Sequence, residues 1–297
     1  MRKNLVLLLL VVFVFYHSSA LTLAQETITI GSGNFAEPQI LAEAVKILIE
    51  ENTDLEVSHV RNFSGSSLIH SAFLAGDLDL YISYTGTQFT GVLNMEVTEE
   101  WKDSRKVEEY VQTQFNEKFD ATWFDSFGFN NTYAVAVRRD FAEEHSITKV
   151  SDLQEHASKM TIAMDNTFRE RIGDGFDDFL QVYDIAFRRP VSMDYGLMYR
   201  AVGTGDVDAA IAYSTDGRIS ALDLVILEDD RKFFPPYDGA LVVRNAVLEA
   251  YPEIREAVQP LIGQVTNEVI QRYNQLVDVD YNEIADAARQ LIDEIVQ

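Results

Sequence analysis

The sequence predicts an α/β protein built as two lobes that face one another across a cleft. Three observations carry this expectation. Strand and helix patterns alternate in β-α-β-α-β order from Thr27, and a second alternating run begins near Asn130, an order that implies parallel sheets with helices on their faces. The stretch "GDLDLYISYTGT" (Gly76 to Thr87) is echoed by "GDVDAAIAYSTDG" (Gly205 to Gly217), with a tyrosine eight residues after each glycine, Tyr84 and Tyr213. The chain has 297 residues, 47% of them hydrophobic, which suffices for one large or two ordinary domains.

At the N-terminus, Arg2 and Lys3 precede a twelve-residue apolar run, Leu5 to Tyr16. A membrane span needs ~20 residues, so the run suits the hydrophobic region of a signal peptide. Small residues allow cleavage after Ala20 or Ala24, and residues 1–24 are read as an export signal. An uncleaved anchor is the alternative.

"TITIGSGNF" reads as a strand ending in glycines. It leads into a helix with Ile40, Leu41, Ala44, Val45, Leu48 and Ile49 on one face. "GSGNFA" fits the G-x-G-x-x-A dinucleotide fingerprint, but the export signal argues against that chemistry, and a tight strand-to-helix turn is the reading kept. "DLEVSHVRNF" reads as a strand, Ser66 to Ala75 as a helix, "DLDLYIS" as a strand and Glu99 to Phe119 as a charged helical stretch ending the first unit. "NNTYAVAVRR" opens the second run. "MTIAM" reads as a strand, Arg169 to Val182 and Tyr195 to Val202 as helices, and "DVDAAIAYS" as a strand. "FFPPYDGALVVR" then returns the chain to the first half, with Pro235 and Pro236 unable to continue a helix. From Ala246 the pattern is mostly helical.

The echo covers a whole helix-turn-strand unit, with Leu68 and Leu197, and Ala72 and Ala201, in register. The apolar residues between aspartate and tyrosine suit a buried parallel strand. Each tyrosine then ends its strand at the sheet edge where open α/β sheets bind ligands. A chance echo of two common strand-entry sequences is the competing explanation.

Composition excludes several functions. There are 24 basic and 48 acidic residues, a net charge of -24, and phosphate binding needs clustered Lys and Arg, so no nucleic-acid partner is expected. There is no cysteine. Disulfides and lipid attachment through an N-terminal cysteine are therefore ruled out, which favours a soluble exported protein over a lipoprotein. The five histidines show no metal-ligand spacing, and no G-x-S-x-G nucleophile elbow occurs. No metal or cofactor is expected.

Tyrosine remains. Tyr133 lies where the chain enters the second half and Tyr237 where it returns. With Tyr84 and Tyr213 they could form a box around a quaternary ammonium. Each ring face would contribute about 0.5–2 kcal/mol, so four would supply about 2–8 kcal/mol. Micromolar affinity requires about 8 kcal/mol. Spacing alone fits ordinary core or interface tyrosines better.

"GNFAEPQILAEAV", "AGDLDLYISYTGTQFTGVL", "FGFNNTYAVAV", "GDVDAAIAYSTDGRI" and "DDRKFFPPYDGALVVR" together resemble the substrate-binding proteins of osmoprotectant ABC importers, which bind glycine betaine, choline, carnitine and related compounds. The resemblance runs from about Thr27 to the C-terminal helices. It implies the two-lobed periplasmic-binding-protein fold (type II) with two hinge crossings and a ligand cleft between lobes. Residues 25–131 plus 239–297 would form one lobe and 132–238 the other. It implies an aromatic cage of Tyr84, Tyr133, Tyr213 and Tyr237, and carboxylate contacts from Thr87 and Arg171. Arginine suits that role because its planar fork reaches both carboxylate oxygens. Gly33 departs from the family, standing where many relatives carry Lys or Gln directed at the ligand carboxylate.

The expected function is thus a solute-binding protein, not an enzyme. It would be exported to the periplasm or outer face, monomeric, and would deliver a quaternary ammonium osmolyte to a membrane permease. A binder of an amino acid or another small cationic solute is the alternative. A periplasmic enzyme using cleft carboxylates is a third reading.

Overall fold

The computed structural model describes residues 27–170 and 175–296. Among these, β1 (Thr27–Gly33), β2 (Glu56–Phe63), β3 (Leu80–Tyr84) and β4 (Ala121–Trp123) precede β5 (Tyr133–Arg138), β6 (Thr161–Met164) and β7 (Arg189–Ser192). The last three strands are β8 (Ala209–Tyr213), β9 (Leu224–Leu227) and β10 (Gly239–Arg244). They form two five-stranded sheets, ordered β2-β1-β3-β10-β4 and β7-β6-β8-β5-β9. Position by position the two orders match, with β10, which returns from the second run, taking in the first sheet the place that β5 takes in the second. These two strands run antiparallel to both neighbours, while β1 is parallel to β2 and β3, and β6 to β7 and β8. The chain therefore passes between lobes twice, over residues 124–132 and 228–238.

The echoed motif is a scaffold device that each lobe uses in the same way. Gly76 and Gly205 close helices Ser66–Ala75 and Tyr195–Thr204 with φ of 85° and 81°, a left-handed conformation open to glycine without steric cost. The second aspartate of each motif then pins the parallel strand next to its own, β1 in one lobe and β6 in the other. Asp79 accepts the Thr29 N–H at 2.8 Å, and Asp208 accepts the Thr161 N–H at 2.6 Å. Arg244 and Arg138, ending β10 and β5, donate to the Phe73 and Val202 carbonyls of those helices at 2.6 and 3.3 Å.

Alternation along the strands fills a core on both faces of each sheet. In β3, Leu80 and Ile82 join Ile30, Ile40 and Leu291, whereas Tyr81 joins Phe73, Phe115 and Trp123 on the other side. In β5, Val135 packs with Ile162 and Phe179, and Ala136 with Met198 and Tyr199. Full burial of each large apolar side chain contributes about 1.5–3 kcal/mol.

Some elements differ from the sequence expectation. The stretch from Glu99 is a short 3-10 turn, Glu99–Lys102, followed by a helix, Ser104–Phe119, and leads into β4. The helix expected over 169–182 is two helices, Asn166–Glu170 and Phe176–Tyr183, separated by residues outside those described. β4, β7 and β9 are three or four residues long, too short to show a period of two. β7 also carries Pro190, tolerated because it is an edge strand.

The two crossings lie side by side. Asn130 and Asp238 form an isolated antiparallel bridge, and the Asn131 N–H donates to the Tyr237 carbonyl at 3.0 Å. The C-terminal helices Asn267–Asp278 and Ile284–Ile295 pack on helix Ala36–Asn52 of the first lobe. The former also reaches the second lobe. Gln271 donates to the Ser214 carbonyl at 2.6 Å, and Gly217 lies so close that a Cβ would meet the Gln275 nitrogen at 2.2 Å.

Candidate functional site

The cleft between the lobes is lined by tyrosine because four separate backbone features end there. In the second lobe Tyr133 and Tyr213 are cross-strand partners at the mouth of the β5–β8 ladder. Their ring centroids are 4.8 Å apart at 37°, and their hydroxyls 3.2 Å apart. The Tyr213 hydroxyl also lies 3.2 Å from Asp165 Oδ2. The Tyr213 hydroxyl has one proton, which it donates to Asp165 Oδ2, leaving its oxygen to accept the Tyr133 O–H. Tyr133 is buried against Phe168, at 4.9 Å between centroids, and Phe234, at 6.4 Å.

In the first lobe Tyr84 ends β3 opposite Gly239. Its hydroxyl donates to Glu37 Oε1 at 2.8 Å, and its ring stacks on Phe35 at 6.2 Å and 22°. Tyr237 comes from the return crossing. Its N–H donates to Asn130 Oδ1 at 2.7 Å. Its ring presses on Gly86, where a Cβ would come within 2.8–2.9 Å of ring carbons and 2.4 Å of the Pro236 carbonyl oxygen. Only glycine lets helix Thr85–Gly91 and the crossing approach so closely.

These side chains share one cavity of about 250 Å³, lined by Tyr84, Thr87, Tyr133, Tyr213 and Tyr237. Gly33 and Phe35 form part of the same wall. A Cβ on Gly33 would stand 3.5 Å from Phe35 and Pro38, an ordinary contact, so its place in the wall is space that a side chain would fill. A second compartment of about 590 Å³ shares Asn34, Phe35, Asn131 and Tyr213 with this wall, and its other walls include Glu37, Asp165, Asp216, Asp278 and Arg218. Arg171 and the segment 1–24 lie outside the described residues.

Glu37 is the most constrained charge here, with 1% of its surface exposed. Burial pushes its carboxyl above the usual range, opposed by hydrogen bonds from Thr215, Tyr84, Asn131 and Asn274. Burial first, and then the adjacent Glu37 charge, hold the Tyr84 hydroxyl well above the ordinary tyrosine range, so it stays a neutral phenol. The site therefore offers neutral π-faces in front of carboxylates, a surface that attracts a bulky cation. Among the described residues, no group of three or more His, Cys, Asp or Glu is placed to hold a metal ion.

Phe35, Glu37, Asn131 and Asp165 were not legible in the sequence as parts of the site. Glu37 follows "GNF" as one acid among 48. Its partner Tyr84 is 47 residues away, and Asp165 is 48 residues from Tyr213.

Two α/β lobes joined by paired crossings, with an aromatic cavity between them, define a solute-binding protein of the periplasmic type. Comparison with known proteins agrees. Residues 26–294 match the family model for the substrate binding domain of ABC-type glycine betaine transport systems, and the chain belongs to that family. It is 38% identical over 270 residues to the carnitine transport binding protein OpuCC of Listeria monocytogenes, covering 91% of this chain and 87% of that one. It is 32% identical over 267 residues to a glycine-betaine-binding protein of Pseudomonas aeruginosa, covering 86% and 83%. The crystal structure of a glycine betaine/carnitine/choline ABC transporter superposes with a TM-score of 0.86 at 35% identity, covering 90% of this chain and 98% of that one.

Proposed function

We propose that the protein captures a quaternary ammonium osmolyte, such as carnitine, glycine betaine or choline, between its lobes and delivers it to the permease of an ABC importer. The convergence of Tyr84, Tyr133, Tyr213 and Tyr237 on one cavity carries this reading. A methylated nitrogen offers no hydrogen-bond donor, so ring faces are what can hold it, at about 0.5–2 kcal/mol each. Thr87 in the same wall, together with Arg171, would take the carboxylate of a betaine. The space left by Gly33 favours a ligand longer than glycine betaine, in keeping with the carnitine-binding relative.

In this reading residues 25–131 plus 239–297 move as one lobe and 132–238 as the other, with hinges near Asn131–Tyr133 and Pro236–Asp238. Closure removes water from the cation and strengthens the ring contacts. The protein acts as a monomer, performs no covalent step and works outside the cytoplasm after export. Titration calorimetry with carnitine, glycine betaine, choline and proline betaine tests the proposal. Saturable binding of at least one supports it. Binding of an amino acid and none of the four overturns it.

A further inference from the structure

Each echoed tyrosine donates its hydroxyl to a carboxylate of its own lobe. Tyr84, ending β3, donates to Glu37 at 2.8 Å, and Tyr213, ending β8, is paired with Asp165 at 3.2 Å. The acids are topological equivalents. Glu37 follows β1 and Asp165 follows β6, and these strands hold the same place in their sheets, beside β3 and β8. We infer that Glu37 and Asp165 are a mirrored pair of specificity-determining anions that make the tyrosine cavity discriminate a cation from a neutral molecule of the same shape. The inference rests on the quaternary ammonium reading above and deepens it.

Both carboxylates are fixed before any ligand arrives. Asp165 Oδ1 accepts the Phe168 N–H at 2.7 Å, which caps the helix that follows, so Oδ2 is left for Tyr213. Glu37 Oε1 also accepts from Asn131 at 2.9 Å, and Oε2 accepts from Asn274 at 3.1 Å. All of these partners are neutral donors. Among the described residues, no Lys or Arg lies within ion-pair distance of either acid. Glu37, with 1% of its surface exposed, is a buried carboxylate with no such cation at ion-pair distance, which is costly, and Asp165 is half-buried. A cation entering the adjoining cavity offsets that cost; a neutral isostere does not. The acids also polarise the phenols, since an O–H given to an anion leaves the ring face richer in electrons.

The test uses Asp165→Asn and Glu37→Gln in the full-length protein. Calorimetry gives the affinity for choline. Displacement of choline gives the affinity for 3,3-dimethylbutan-1-ol, its carbon isostere without charge. Thermal melting confirms folding. In each variant choline affinity should fall about tenfold while the isostere changes by less than about twofold, the order expected for one charge acting across a few ångströms of protein interior. Equal weakening of both ligands would assign the acids a merely structural part and overturn the inference. An unchanged ratio would do the same. Should Glu37→Gln fail to fold, Asp165→Asn decides alone, because an asparagine oxygen keeps the cap to Phe168. If the unaltered protein binds no quaternary ammonium, the functional reading itself falls. Binding with an unaltered choline-to-isostere ratio in the variants overturns this inference only.

Discussion

Tyr133 and Tyr213 face each other across the first rung of the β5–β8 ladder, with ring centroids 4.8 Å apart. Tyr133 is the first residue after one crossing, and Tyr213 is the last residue of β8, the strand of the echoed motif. One hydrogen-bonded pair thus joins the lobe boundary to the strand end, and two of the four tyrosines in the cavity wall are set by β-register rather than by loop conformation.

Removing one of these faces should be felt by every ligand that carries a methylated nitrogen. Tyr213→Ala is expected to weaken carnitine, glycine betaine and choline alike, by about 1–2 kcal/mol. Calorimetry of the three ligands checks it; a loss confined to the carboxylate-bearing ligands would be inconsistent with a ring-face contact.

Arg171→Ala should separate the ligands instead. Loss of a charge-assisted contact costs about 1.5–3 kcal/mol for carnitine and glycine betaine and leaves choline, which lacks a carboxylate, unchanged. Equal losses in a competition assay would remove the role proposed for Arg171.

Gly86→Ala probes the approach of the two lobes' connecting chain. The added methyl would collide with the Pro236 carbonyl and the Tyr237 ring. Displacement of Tyr237 should weaken all three ligands, and overpacking should lower stability by about 1–3 kcal/mol. Urea unfolding and calorimetry on the same sample measure both.

A pH effect is expected away from the cavity. His59, hydrogen-bonded to Glu43 at 2.8 Å, leads the interactions that hold the Glu43 carboxyl down to about 2, with Arg61 and Lys46 adding to it. A depressed carboxyl stabilises the fold above its unfolded value of 4.5, and that stability is lost as pH falls toward 2. Glu43→Gln should therefore cost about 1–3 kcal/mol at neutral pH. The difference from the unaltered protein should fade in acid unfolding experiments between pH 5 and about 2.

The sequence revealed what local backbone chemistry dictates. Gly76 and Gly205 need left-handed geometry and Asp79 and Asp208 need their strand partners, so the two halves echo each other in readable letters. The resemblance to osmoprotectant binders named Tyr84, Thr87, Tyr133, Tyr213 and Tyr237, and these meet at one cavity. Glu37 and Asp165 escaped notice because a carboxylate gains meaning only from what surrounds it, and their tyrosines are distant in the chain. β4, β7 and β9 escaped because three or four residues carry too little pattern. The bridging of both lobes by helix Asn267–Asp278 depends on Gly217 meeting Gln275, a contact between segments unrelated in sequence.

A crystal structure of the protein with carnitine decides whether the four rings hold the ligand. The trimethylammonium nitrogen should lie within about 6 Å of the ring centroids of Tyr84, Tyr133, Tyr213 and Tyr237. A ligand seated elsewhere, or a nitrogen held by carboxylates with the four rings turned away, would contradict it.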